Sequence, residues 1–179
     1  NGNADNFDWD NKISKVTSME SMFEGASTFN RAIYDWTPYK CTSMKSMFKG
    51  ATKFNQDIGG WDVSNVSSME SMFEGATNFN NDNNDNINDW NVSSVTSMKS
   101  MFQNATSFNK PIWNWNWGNG NFKINSMESM FKNATIFNQP IGFWADKTSS
   151  VTSMESMFDG ATSFNNSGVD TMFYWHVNK

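Results

Sequence analysis

The chain has 179 residues, carries a net charge of -5, and only 17% of its residues are charged. Its polarity comes instead from amides, since 27 residues are Asn. This composition excludes the basic surface that nucleic-acid binding requires, and no apolar run reaches the about 18 residues of a membrane span. Because the chain starts at Asn1 and not at Met, we expect it to be processed or excised, so the missing leader does not argue for the cytoplasm.

Residues 1–12 come first and are predicted to form an N-terminal strand or cap. Six copies of one repeat then occupy residues 13–166, and residues 167–179 are predicted to form a C-terminal strand or cap. Each copy contains a block that reads S-M-E-S-M-F-E-G-A-T-N-F-N at residues 68–80. This period predicts a solenoid in which each copy buries its apolar face against its neighbours, so residues 1–179 are predicted to form one solenoid domain. The first Met residues of the blocks lie 25, 25, 29, 29 and 27 residues apart: Met19, Met44, Met69, Met98, Met127 and Met154.

Two hydrophobic periods meet within one copy. Trp61 and Val63 alternate with polar residues, which is typical of a strand. Apolar residues of the following block recur at i, i+3, i+4 and i+7, which indicates one face of a short helix. Gly75 suits a left-handed residue at the end of that helix. Each copy is therefore predicted to be a short strand followed by about two helical turns.

Tryptophan marks every predicted strand. Seven parallel strands and six helices follow from this pattern, so the predicted fold class is an α/β repeat solenoid that resembles the leucine-rich repeat. The seven strands should form one parallel sheet about 30 Å long at ~4.8 Å spacing, with each strand Trp buried. The slots are Trp9, Trp36, Trp61, Trp90, Trp115, Trp144 and Trp175.

The S-M-x-S-M-F-x-G-A-x-x-F-N block, together with W-D-V-S-N-V at residues 61–66, resembles the repeat of BspA-type bacterial surface proteins. The resemblance covers nearly the whole chain in six copies. It implies a leucine-rich-repeat-like solenoid outside the cell or on its surface. It implies no active site.

Insertions lie between the blocks. Residues 81–86 read N-D-N-N-D-N and could bind a cation through Asp82 and Asp85, but they lack the Gly and the distal Glu of a calcium loop. A solvated turn is the favoured interpretation. In a second irregular segment, Trp113 takes a slot that is Gly59 in an earlier copy, so Trp113 is predicted to be an exposed aromatic residue that could bind a ligand.

Stacked copies should align equivalent residues into columns. Asn80 and its equivalents form one column, predicted to satisfy backbone groups within the loops. Charged residues form two more columns, in which Glu20 precedes Lys45 and Glu24 precedes Lys49. In the first four copies charges of opposite sign meet between neighbours and like charges lie within most copies, which indicates stacking in register. The fifth copy breaks the pattern with Glu128 and Lys132, and the sixth with Glu155 and Asp159.

Signatures of catalysis are missing from the sequence, and we predict no enzyme, no cofactor and no metal site. The single cysteine, Cys41, occupies a slot that is Val or Ile in other copies and is predicted to be a small buried hydrophobe. The single histidine, His176, is predicted to be solvated in the last strand.

N-glycosylation sequons are the one chemical signal. Asn65, Asn91, Asn104 and Asn133 are predicted to lie exposed at turns and to be possible acceptors. Asn165 also fits a sequon, but it belongs to the asparagine column and is predicted to be a buried, poor acceptor.

The sequence predicts a non-enzymatic, glycosylated extracellular structural protein that assembles end to end with itself into a filament or surface layer, because the predicted terminal strands leave open edges at Trp9, Trp175 and Val177. One alternative is a cell-surface adhesin or ligand-binding repeat protein that binds glycans or a host surface through the concave strand face or Trp113. Another is ice binding through a regular threonine column, although flat T-x-T arrays are missing from it. That column contains Thr52, Thr77, Thr106, Thr135 and Thr162.

Overall fold

The computed structural model describes residues 13–120 and 122–169. In this part of the chain the six copies stack in sequence order. The first Ser of each block forms an isolated parallel β-bridge with the first Ser of the next block. We call these stretches the blocks and the stretches between them the connecting segments. The blocks are residues 18–30, 43–55, 68–80, 97–109, 126–138 and 153–165.

The backbone of each block alternates between two kinds of hydrogen bond. Every second N–H donates to the next copy: in the third block, Ser71 N donates to Lys99 O at 2.8 Å and Phe73 N donates to Met101 O at 2.9 Å. The N–H groups between them close tight turns within the copy, as Met72 N does on Met69 O at 3.2 Å. Each block is therefore a series of turns bonded sideways to its neighbour.

Left-handed residues enforce this path. Ser71 has φ of 55° and Gly75 has φ of 70°, and the equivalent positions of the other five copies are also left-handed. Positive φ two residues after the first Met interrupts an α-helix before its first turn is complete. The predicted block helix is therefore absent.

The predicted α/β repeat solenoid is wrong. Within residues 13–120 and 122–169, the structure contains no helix of seven or more residues and no extended strand. The apolar spacing of the block misled the prediction, because consecutive turns closed by i to i-3 bonds repeat at almost the same spacing as a helix. The named elements are four 3₁₀ helices: Asn81–Asn83, Asn86–Asp89, Gly142–Lys147 and Asn166–Gly168.

The predicted strands are also missing from residues 13–120 and 122–169. Trp61 N closes a turn on Ile58 O at 3.1 Å, and Val66 N closes another on Val63 O at 2.9 Å. In this part of the chain single-residue bridges take the place of the predicted sheet, because the backbone turns again before a second residue can pair. One further described bridge joins the connecting segments, between Asn91 and Asn116.

The core prediction is confirmed for the four inner blocks. The block phenylalanines form two stacked columns: Phe73 lies 5.7 Å from Phe48 and 5.4 Å from Phe102, centroid to centroid, and 3.9 Å from Phe79 in the second column. In the first and sixth blocks the equivalent rings are only half-buried. The strand-slot tryptophans that the structure describes are all buried: Trp36, Trp61, Trp90, Trp115 and Trp144.

The asparagine column has the structural role that was predicted. In the first five members the side-chain Oδ1 accepts a hydrogen bond from the backbone N–H of the next Asn in the column, as Asn55 does from Asn80 at 2.8 Å. Asn55 Oδ1 also accepts from Asp82 N at 3.0 Å. This asparagine ladder consists of Asn30, Asn55, Asn80, Asn109, Asn138 and Asn165.

Candidate functional site

An aromatic cleft lies on the described surface of the protein. It encloses about 430 Å³, which falls within the roughly 300–1,000 Å³ typical of small-molecule sites. Two connecting segments form it, one of them through the 3₁₀ helix Gly142–Lys147. The lining residues are Trp113, Asn114, Trp115, Trp117, Pro140, Phe143 and Lys147.

Hydrogen bonds to the preceding connecting segment fix the tryptophan side of the cleft. Asn114 N donates to Asn88 Oδ1 at 2.9 Å, and Asn114 Nδ2 donates to Asp89 Oδ1 at 3.3 Å. Trp115 Nε1 donates to Ile87 O at 2.8 Å. This side is therefore anchored to the copy beneath it.

The cleft has a buried floor and an exposed wall. Trp115 and Trp117 are buried, whereas Trp113 is 44% exposed and Phe143 is 57% exposed. The rings of Trp113 and Phe143 lie 6.3 Å apart at 54°. The predicted exposure of Trp113 is confirmed. No motif in the sequence indicated Phe143, which joins Trp113 only through the stacking of two copies.

One cation borders this aromatic surface. Lys147 lies in the last turn of Gly142–Lys147, forms an ion pair with Asp146, and places Nζ 5.4 Å from the Phe122 ring centroid. The cleft therefore combines apolar ring faces with an ammonium group and the free Oδ1 side of the Asn114 amide.

The two ends of the described stack form a second candidate surface. In every copy but the last, four block N–H groups donate to the next copy. In the sixth block these donors have no acceptor among the described residues: Met154, Ser156, Phe158 and Gly160. The first block presents the four matching carbonyl groups, which accept no bond from a described residue: Ser18, Glu20, Met22 and Glu24.

Charge columns follow the stack, as the sequence predicted. Lys45 Nζ lies 3.2 Å from Glu70, and Lys49 Nζ lies 3.0 Å from Glu74, in each case joining neighbouring copies. Lys99 pairs with Glu128 at 2.8 Å, and that hydrogen bond and attraction raise the pKa of Lys99. Both ends of these columns are acidic, because Glu20 and Glu24 start them and Glu155 and Asp159 end them.

The sequon residues differ in accessibility. Asn65 and Asn133 are exposed as predicted, whereas Asn91 and Asn104 are half-buried. Asn133 Nδ2 donates to Asn104 Oδ1 at 2.9 Å, and both have the left-handed conformation predicted for them. The predicted burial of Asn165 is wrong, because its copy ends the described stack and leaves it exposed.

The other candidate residues have structural surroundings. Burial raises the pKa of the Cys41 thiol, which donates to Ser43 O at 3.1 Å. Asp85, proposed as a cation ligand, instead pairs with Lys110 at 3.1 Å. The described residues contain no group of three His, Cys, Asp or Glu side chains that could hold a metal ion.

Four of the predicted site residues lie outside the described residues: Trp9, Trp175, His176 and Val177.

The threonine column bonds to the backbone of the stack. Thr52 Oγ1 donates to Ser27 O at 3.1 Å, and three other members donate to the preceding copy at 3.4 Å. The O–H donors of these four threonines are therefore used in hydrogen bonds to backbone carbonyl groups.

A family model described as Mycoplasma protein of unknown function, DUF285, matches residues 2–86 and again residues 83–172. No curated protein matches the chain. No solved structure matches it. None of the helices in the described part of the chain is long and apolar enough to cross a membrane.

Proposed function

This chain belongs to the family described as Mycoplasma protein of unknown function, DUF285, a BspA-like repeat family, and we propose that it is a non-enzymatic extracellular structural protein whose molecules assemble end to end. The family description names no activity. The extracellular or cell-surface location rests on the resemblance to BspA-type surface repeats.

The hydrogen-bond polarity of the blocks carries the proposal. Four N–H groups of each inner block, at the positions of Met69, Ser71, Phe73 and Gly75, donate to the following copy, whereas Asn78 N donates back to Thr52 O of the preceding copy. The sixth block therefore ends the described stack with four such donors, and the first begins it with the four matching carbonyl acceptors. A second molecule placed on the first block therefore meets the same four-bond pattern that joins consecutive copies. Backbone groups left unpaired at such an edge favour pairing with another chain.

Apolar contact would accompany these bonds. Phe23 in the first block and Phe158 in the last are half-buried, whereas their equivalents in the inner blocks are buried. A head-to-tail contact would continue this phenylalanine column from one molecule into the next. Because donor and acceptor ends differ, the contact is heterologous and propagates into a filament instead of closing a dimer.

Charge opposes this contact. Direct stacking of the sixth block on the first would place Glu155 next to Glu20 and Asp159 next to Glu24. We expect assembly of the native chain to strengthen with salt, because salt screens the repulsion between exposed carboxylates.

Glu155→Lys tests the contact by gain of function. Lysine at this position would face Glu128 within the molecule and Glu20 of the neighbouring molecule. We expect assembly at roughly fivefold lower protein concentration, the change that ~1 kcal/mol of exposed ion pairing allows. Sedimentation velocity over a wide range of protein concentration measures it, with electron microscopy to identify filaments.

Asp35→Lys is the matched control, because it makes the same charge change at an exposed connecting segment. It should leave the assembly concentration of the native chain unchanged. The salt dependence should also reverse in sign, with salt promoting assembly of the native chain and weakening that of Glu155→Lys. Monomers of both the native chain and Glu155→Lys at every concentration and salt would refute the proposal.

Glycosylation is proposed as a second property of the surface. The exposed acceptors are Asn65 and Asn133, although Asn65 Nδ2 donates to Tyr39 O at 2.7 Å and would have to release this bond. Intact-mass measurement of the secreted protein before and after glycan removal tests occupancy. An unchanged mass after expression through a eukaryotic secretory pathway would exclude it.

A further inference from the structure

We propose that the aromatic cleft binds the sugar rings of a neutral or acidic saccharide. This inference concerns a different surface from the stack ends and does not depend on assembly. Saccharide rings present an apolar face of C–H groups and a rim of hydroxyl groups, so they need a flat aromatic contact beside polar partners. The cleft offers both.

The exposed wall supplies the apolar contact. Trp113 and Phe143 remain 44% and 57% exposed although the chain buries its other described tryptophans. Their rings meet at 54°, so each leaves part of a face open to solvent. Adjoining exposed rings beside a concave site are typical of a binding surface.

The rim supplies polar partners. Asn114 uses its backbone N–H and its Nδ2 on the preceding segment, which leaves Oδ1 as an acceptor for a sugar hydroxyl. Lys147, from the other connecting segment, also lines the cleft, and its ammonium has three N–H donors, of which the ion pair with Asp146 uses one. Because Asn114 is fixed by two bonds, the wall is organised before a ligand arrives, which reduces the ordering entropy lost on binding.

The positive charge of the lining argues against the main competing ligand, a quaternary ammonium group. A cluster of tryptophan and phenylalanine rings can also enclose a quaternary ammonium group. Here Lys147 lines the cleft, whereas Asp146, the carboxylate that pairs with it, does not, so the lining presents a cation that repels a second cation. Neutral and acidic sugars meet no such penalty.

Position in the stack also favours an extended saccharide. The cavity of about 430 Å³ lies between the connecting segments of neighbouring copies, on the outside of the phenylalanine core. Two of its lining residues, Trp113 and Phe143, are exposed to solvent. A sugar ring held against them can therefore be continued by further rings outside the cleft.

Saturation-transfer NMR on the full chain tests the proposal with chitotetraose, cellotetraose and sialyllactose as probes. We expect transfer to the ring C–H protons of at least one probe. Trp113→Ala should weaken that binding at least about tenfold, the change produced by about 1.4 kcal/mol of binding free energy. Tyr39→Ala is the matched control, since Tyr39 is an exposed aromatic residue outside the cleft, and it should leave binding unchanged.

Two further measurements distinguish acidic, neutral and quaternary ammonium ligands. Lys147→Gln should weaken sialyllactose binding selectively if the ligand is acidic, and should spare the two neutral probes. Phosphocholine serves as the probe for a quaternary ammonium group. Binding of phosphocholine alone, no binding of any of the three saccharides, or equal loss in Trp113→Ala and Tyr39→Ala would overturn the proposal. Trp113→Ala must retain the native thermal transition, which its exposed position predicts.

Discussion

The blocks and the connecting segments of this protein differ in how uniform they are and in what they expose. The six blocks share one backbone path, with the same left-handed positions and the same bonds to the next copy. The connecting segments differ in length and carry the exposed Tyr34, Tyr39, Trp113 and Phe143. Repetition in the blocks holds the stack, and this leaves the connecting segments free to form an individual surface such as the aromatic cleft.

Removing a ring from each region should give the largest contrast. Phe73 is fully buried between Phe48 and Phe102, and Phe73→Ala should lower the free energy of unfolding by about 3–5 kcal/mol. Phe143→Ala, in a connecting segment, should change it by no more than about 0.5 kcal/mol. Urea denaturation measures both, and similar losses would contradict the division between block and connecting segment.

The asparagine ladder lies at the junction of the two regions and should have an intermediate effect. Asn55→Ala removes the acceptor for the N–H groups of Asn80 and Asp82 and should cost about 1–3 kcal/mol of unfolding free energy. Asn55→Asp keeps an acceptor oxygen and should recover most of the loss. If the two variants are equally destabilised, the hydrogen bonds are not the cause.

Glycine in the two regions should behave in opposite ways. Gly75 has φ of 70°, so Gly75→Ala should cost about 1 kcal/mol of unfolding free energy through backbone strain. Gly75→Asn should cost less, because Asn104 and Asn133 adopt this conformation in other blocks. In the connecting segment, a Cβ at Gly60 meets no atom within 4 Å, so Gly60→Ala should be neutral or stabilising. Thermal denaturation of the three variants would sharpen or refute this order.

Ion pairs between blocks should have the smallest effect. Lys49 and Glu74 join two copies at 3.0 Å, but both side chains are partly exposed. A double-mutant cycle with Lys49→Met and Glu74→Gln should give a coupling free energy under ~1 kcal/mol that falls with added salt. A larger, salt-independent coupling would mean that these pairs hold the stack and do not merely keep its register.

Some of this organisation was predictable because it depends on repetition alone. A buried column needs the same apolar residue at the same place in each copy, so Met72, Phe73 and Phe79 identified the core before any backbone path was known. The asparagine ladder and the charge columns were predictable for the same reason. Exposure of Trp113 followed from its mismatch with Gly59 in an earlier copy.

The candidate sites were less predictable because they depend on partners distant in sequence. Phe143 and Lys147 lie in a segment with no distinctive motif, and only stacking brings them beside Trp113. The polarity of the block hydrogen bonds, which makes the two ends complementary, also has no counterpart in residue type. Side-chain patterns specify which groups are buried, but they do not specify the direction in which backbone N–H groups point.

By itself, the sequence determined the number of copies, their register and the side chains of the core, since burial follows the recurrence of apolar residues. Only the tertiary structure decided the backbone path. The spacing of Met69, Met72, Phe73 and Ala76 suits both a helix and a series of turns, and Ser71 carries no steric signal for its left-handed φ of 55°. Sideways bonds to the next copy decide between them, because they satisfy every second N–H of the block without the i to i-4 bonds of a helix.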